Sequence, residues 1–233
     1  MHRENVSAQL GTQTDLGIVL SYTSYGNTHA GIAFRWRGAV YVYHQAFHVD
    51  TRLEPFDAAV TNIGGASIVV GLLLRRDRQK AITGFLNHLG SVNPQYPYSL
   101  KLDPRARIDK TLGKLVTQDG KGLNCVTFVI AVFQTYGIRL VNASTWPTDR
   151  PKDADIHQSL INFLQNRASP EHLEDVKKEK GCVLVRPEEL AGSGYYKAWP
   201  VTFTQVEPPS LELLKQLSRI GGRPSHELYP EAH

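Results

Sequence analysis

The amino-acid sequence predicts an α+β fold in which a small antiparallel sheet packs against helices. Two observations carry this. Apolar runs of strand length crowd the chain up to Leu73, and a helical spacing of apolar positions takes over after Asp77.

The elements follow in that order. Residues 1–14 are polar and read as a loose arm. Residues 17–22 read as a strand, followed by a loop at Ser24-Tyr25-Gly26-Asn27. Residues 29–34 and 39–44 are two further strands, and 35–38 between them predicts a hairpin with a short loop. Residues 67–73 form a buried strand. From 77 to 89, Ile82, Phe85, Leu86 and Leu89 fall at helical spacing, with Gly90 as a stop. Residues 91–122 are irregular and punctuated by Pro94, Pro97 and Pro104, a loop long enough to carry function. Residues 124–136 predict an apolar helix closed by Gly137, and 153–166 a second with Ile156, Leu160, Ile161 and Leu164 on one face. A short strand is expected over 182–185, and one short helix over 210–218 in a proline-rich tail. The reading is therefore an arm (1–14), one domain (15–199) and a C-terminal extension (200–233) whose end frays.

The 233 residues, 41 % hydrophobic and 21 % charged, have the composition of a globular domain. A formal charge of +4 invites a nucleic-acid role. The distribution argues against it, because basic residues alternate with acids, as in Arg75-Arg76-Asp77-Arg78 and Lys177-Lys178-Glu179-Lys180. Two cysteines make neither a disulfide framework nor a metal spacing, although one bridge between Cys125 and Cys182 stays open. The polar N-terminus shows no signal-peptide run, and no stretch approaches the roughly 20 apolar residues of a membrane span. The expected location is the cytoplasm, with export by a signal-independent route as the alternative. A reducing compartment leaves a thiol free to react.

Cys125 is the residue around which chemistry can be built. Asn124 before it is a favourable N-cap, which places Cys125 in the first turn of a buried helix. Unpaired N–H groups and the positive dipole end there favour an anion, so the thiol is expected to ionise more easily and an oxyanion to find donors. Cys182, in an uncapped apolar run, reads as core filler. A thiol nucleophile needs a base, usually histidine, held by a third polar group. With the hairpin loop at 35–38, His29 faces His44 directly across the ladder, close enough for one imidazole to orient the other. A one-residue slip would separate them. His48 is a rival for the third residue but falls beyond the expected strand, and His88 and His157 are expected on the solvent side of helices. Phe128, Val132 and Phe133 read as core; Tyr96 and Tyr98 are candidates to cover the cleft, but the flanking prolines read as a rigid loop and nothing more.

These segments resemble a family. His29-Ala30-Gly31-Ile32, Val42-Tyr43-His44 and, much later, Asn124-Cys125-Val126-Thr127-Phe128-Val129 are similar to the permuted branch of the NlpC-type, papain-like superfamily. The cysteine segment is most like the lecithin retinol acyltransferase group. The histidine segment is equally like bacterial permuted hydrolases, as are Tyr96-Pro97-Tyr98 and Arg186-Pro187-Glu188-Glu189-Leu190. The resemblance spans roughly residues 15–190 but rests on short motifs. It implies a sheet or half-barrel against a cysteine-bearing helix, with Cys125 as nucleophile, His29 as base and His44 as orienting group. It also implies a thioester intermediate formed without cofactor or metal. Val126 and Thr127 depart from the polar pair that usually follows the cysteine, and the span between the histidines is longer, which leaves the substrate open. The substrate expected is a peptide, amide or acyl ester, and hydrolysis is favoured over acyl transfer because no membrane-binding apolar segment accompanies the motifs. A catalytically inactive binding module is the alternative from another class.

Overall fold

Seven consecutive residues of β1 (Leu16–Tyr22) are buried, which explains why Ile18, Val19 and Leu20 run on without polar alternation: both faces of the sheet are covered there. The computed structural model describes residues 10, 14–24, 26–118, 121–148 and 150–221. Most of the expected arm and the end of the tail lie outside them. Four more strands, β2 (Thr28–Trp36), β3 (Ala39–Phe47), β4 (Asp50–Pro55) and β5 (Ser67–Gly71), complete an antiparallel sheet in the order β4-β3-β2-β1-β5. Among the described residues seven α-helices join it: α1 (Phe56–Ile63), α2 (Arg76–Val92), α3 (Cys125–Gln134), α4 (Asp153–Leu164), α5 (Pro170–Lys177), α6 (Pro187–Gly192) and α7 (Phe203–Gly221). The α+β class is thus as the sequence predicts.

Strand alternation sorts the core into two layers. Ile18, Leu20, Ala30, Ile32, Phe34 and Tyr43 face the main core, where they meet α2, α3, α6 and α7 through residues such as Ile82, Phe128, Leu190 and Leu213. Val19, Ala33, Val42 and Val69 face the other way, onto Phe56 and Ala59 of α1. A third cluster is separate. Leu160 and Leu164 of α4, Val176 of α5 and Leu184 close over Leu100, with Tyr98 and Cys182 at its margin.

Several expectations need correction. The β2–β3 turn is two residues, not four: Trp36 pairs with Ala39, and Arg37 and Gly38 take φ values of 49° and 86°. Positive φ at both central positions is the twist-matched hairpin turn, so the tighter loop wins. Gly90 does not stop its helix, which runs on to Val92 and ends at left-handed Asn93. Residues 182–185 form no strand; Leu184 and Val185 are buried by helix packing, which an apolar tetrapeptide serves equally well. The helix expected over 210–218 begins at Phe203 and buries Val206, Leu213, Leu214 and Leu217. His157 is buried, not solvent-facing, because its Nε2 donates to the Val176 carbonyl at 2.9 Å.

Candidate active site

α3 begins where Asn124 dictates. Its Oδ1 accepts the N–H groups of Val126 and Thr127, both at 2.9 Å, and Thr127 Oγ1 accepts the Asn124 N–H at 2.8 Å. This reciprocal capping box fixes the first turn, and a cap of this kind is worth about 1 kcal/mol. Thr127, one of the two departures from the resembled motif, is the residue that completes it. Cys125 is therefore the first helical residue, as expected, and only 6 % exposed.

The chain brings two further groups to the thiol. The β2–β3 ladder ends at Ile32–Tyr43, and just beyond that end the backbone N–H of Ala30 comes close enough to the thiol to favour its ionised form. The Tyr98 hydroxyl is the second. Tyr98 is held there because Leu123, just before the cap, donates its N–H to the Pro97 carbonyl at 2.8 Å. Gly122 permits that approach, since a Cβ there would sit 2.2 Å from the same oxygen. Tyr98 is thus more than loop scaffolding, and its neighbour Tyr96 donates to the Gly113 carbonyl at 2.6 Å.

The two histidines meet, although not as the simple register predicts. Extending the observed pairing sets His44 across from Gly31, one step diagonal from His29. The error was two residues, and an even slip keeps every side chain on its face. A Cβ on Gly31 would lie 3.0 Å from that of His44, so the bare position opens the diagonal path. His29 Nε2 and His44 Nδ1 are 2.8 Å apart, with the rings edge-to-face at 4.9 Å between centroids. Both are buried. His44 Nε2 continues to Glu54 Oε2 at 3.2 Å, and the other Glu54 oxygen accepts from Asn62 Nδ2 of α1 at 2.5 Å. Glu54 was invisible to the sequence reading because β4 itself was; its polar-apolar mix, Asp-Thr-Arg-Leu-Glu-Pro, carries little strand signal. The start of β2 is anchored from the main-core side, where Thr28 Oγ1 donates to Glu188 Oε2 of α6 at 2.8 Å.

The imidazoles project from β2 and β3 on the Val19–Val42 side of the sheet, while the thiol meets the Ala30 backbone from the helix side. Among the described residues, no hydrogen bond joins the thiol to an imidazole.

Burial controls the protonation states. It holds His29 well below the ordinary imidazole value, and His44 beside it adds to the effect. It lowers His44 as well, against the opposing pull of Glu54. The Cys125 thiol is pushed up by burial, only partly offset by the Ala30 N–H, the Tyr98 hydroxyl and the N–H groups of Val126 and Cys125 itself. The expected easier ionisation is therefore reversed, since desolvation outweighs the helix end. Burial thus favours the neutral form of the thiol and of both imidazoles.

Cys125 and Cys182 are both free. A groove of about 440 Å³ lined by Pro94, Tyr96, Pro97, Leu112, Leu115 and Lys121 lies nearby in sequence, but Cys125, His29 and His44 do not open onto it. Among the described residues there is no helix long and apolar enough to cross a membrane and no cluster suited to a metal ion. No family model, curated protein or solved structure matches the chain.

Proposed function

We propose that the chain is a cysteine-dependent hydrolase of the amidase or peptidase type, built on a permuted papain-like plan. The carrying observation is the convergence on one thiol. Cys125 opens a capped helix, and the backbone that reaches its sulfur belongs to Ala30, the residue after His29, which is itself bonded to His44. In this reading His29 accepts the thiol proton and Cys125 attacks a carbonyl carbon. The Cys125 N–H and the Tyr98 hydroxyl donate to the oxyanion that develops. The amine leaves with the proton carried by His29, and a thioester remains. Water, deprotonated by the same imidazole, releases the acid and restores the thiol. An acceptor amine or hydroxyl in place of water would make the same site an acyltransferase. No cofactor enters either route.

Because the resting thiol is neutral, proton removal must accompany attack, so the base matters more than it would for a preformed thiolate. A second reading, a binding module whose site has retired, is favoured by the low exposure of Cys125 and the missing thiol–imidazole bond. One experiment separates the two. The rate of Cys125 alkylation by iodoacetamide is followed against pH in Cys182→Ala, with and without His29→Ala. The hydrolase reading expects the His29→Ala rate near neutral pH to fall by about tenfold or more. Equal rates in both proteins, following an ordinary or suppressed thiol, would leave the binding module as the account.

A further inference from the structure

We infer that Glu54 is a positioning residue that, through His44, sets the tautomer of His29 and so leaves its Nδ1 as the nitrogen free to act as base. The inference deepens the proposed hydrolase and rests on that reading for its functional half. Its structural half stands on proton bookkeeping alone.

An ionised carboxylate can only accept. Both Glu54 oxygens are engaged, Oε1 by the amide of Asn62 at 2.5 Å and Oε2 by His44 Nε2 at 3.2 Å. His44 Nε2 must then carry hydrogen. In a neutral ring the other nitrogen, Nδ1, is a lone pair. That lone pair lies 2.8 Å from His29 Nε2, so His29 must bear its hydrogen on Nε2 and donate. One carboxylate thereby decides two rings in sequence, and the nitrogen left as acceptor on His29 is Nδ1. Burial lowers both imidazoles and so favours the neutral rings that this chain of assignments uses.

The charges around His44 fit this role. Arg52 stands across the ladder from it and disfavours an imidazolium, but its guanidinium is tied to Asp50 at 2.7 Å. Glu54 is thus left to His44 and Asn62. The supporting frame spans three elements: Glu54 sits on β4 opposite Val42 of β3, and Asn62 projects from α1. Without Glu54, His44 has no fixed acceptor. It can then turn Nδ1–H towards His29, which would force His29 to accept through Nε2 and carry hydrogen on Nδ1, the wrong nitrogen for a base.

The test is long-range proton–nitrogen-15 spectroscopy of the imidazoles in the full chain, comparing the parent with Glu54→Gln and Glu54→Leu. Cys125 alkylation is measured in the same proteins on the Cys182→Ala background. The parent is expected to show Nε2–H on both His29 and His44. Leucine, shaped like glutamate but unable to accept, should mix or invert the tautomers and slow alkylation by about tenfold, since a base held in the wrong tautomer loses most of its effect. Glutamine keeps an acceptor and should recover Nε2–H on both rings with most of the rate. Nδ1–H on His44 in the parent overturns the inference outright, a result that needs no variant to fold. Unchanged tautomers in Glu54→Leu overturn it as well. If the tautomers respond as expected while His29→Ala leaves alkylation untouched, the relay stands and the hydrolase reading fails.

Discussion

Two histidine pairs lie among the described residues, and they are used in opposite ways. His29 and His44 bond to each other, edge-to-face and buried, with Glu54 at the end of the chain. His48 and His172 are almost as close, 5.2 Å between ring centroids, yet are tilted at 40° and spend their hydrogen bonds on backbone. The Tyr98 N–H donates to His48 Nδ1 at 3.2 Å, and His172 Nε2 donates to the Tyr98 carbonyl at 2.9 Å. The first pair sets the protonation of a ring; the second grips the loop residue whose hydroxyl touches the thiol. Proximity of two imidazoles says little by itself. What each ring's second nitrogen binds decides whether the pair relays a proton or fastens a strap.

Four predictions sharpen that contrast. The largest effect separates the pairs by chemistry: on the Cys182→Ala background, His29→Ala should slow alkylation of Cys125 by about tenfold or more, whereas His172→Ala should leave the rate near the parent's. Comparable losses from both would erase the distinction. Next, Tyr98→Phe removes a donor that holds the thiol pKa down, so the alkylation profile should move to higher pH by a fraction of a unit to about one unit while the melting temperature changes little. A profile that stays in place would remove Tyr98 from the site.

Third, His172→Ala deprives the Tyr98 carbonyl of its donor and should cost about 1 kcal/mol in urea unfolding. Hydrogen exchange should quicken at Tyr98 before it does in α3, and uniform acceleration would argue against a local strap. The last prediction concerns acid stability. Burial lowers His29, His44 and His48 from 6.5 in the folded chain, most deeply at His29. Above about pH 6.5 neither folded nor unfolded rings bind protons. Below it the unfolded chain takes up protons that the folded one refuses, so stability should fall as the pH drops towards the lowered folded values. Urea midpoints at pH 7.5 and 5.5 check this. His29→Gln should flatten the fall more than His48→Gln, and the reverse order would contradict the burial difference.

The two cysteines show how far the sequence reading reached. Asn124 identified the helix start, and Cys125 stands there; Cys182 does pack at the edge of a small core, although no strand carries it. Both thiols are nevertheless pushed up. Cys182 rises to about 11 through burial and the carboxylates of Glu179 and Asp153, while Cys125 has the Ala30 N–H and the Tyr98 hydroxyl against its burial. The difference between them is the company each keeps, and that company comes from residues as far as Ala30, 95 positions before Cys125 in the chain. Glu54 was missed, and Tyr98 was given no role at the thiol, for the same reason. One sits on a strand with no apolar alternation, the other in a long irregular loop whose course is set by contacts with α3 and α5.

By itself the sequence determined the α+β class, the start of the cysteine helix and the fact that His29 and His44 share a face. Each rests on a local rule: a capping side chain acts within three residues, and strand parity survives a register error of two. Only the tertiary structure decided that Gly31 opens the path between the rings, that Glu54 ends the chain and that the thiol is buried and neutral. Desolvation and side-chain reach are sums over everything that packs nearby, so no spacing along the chain contains them.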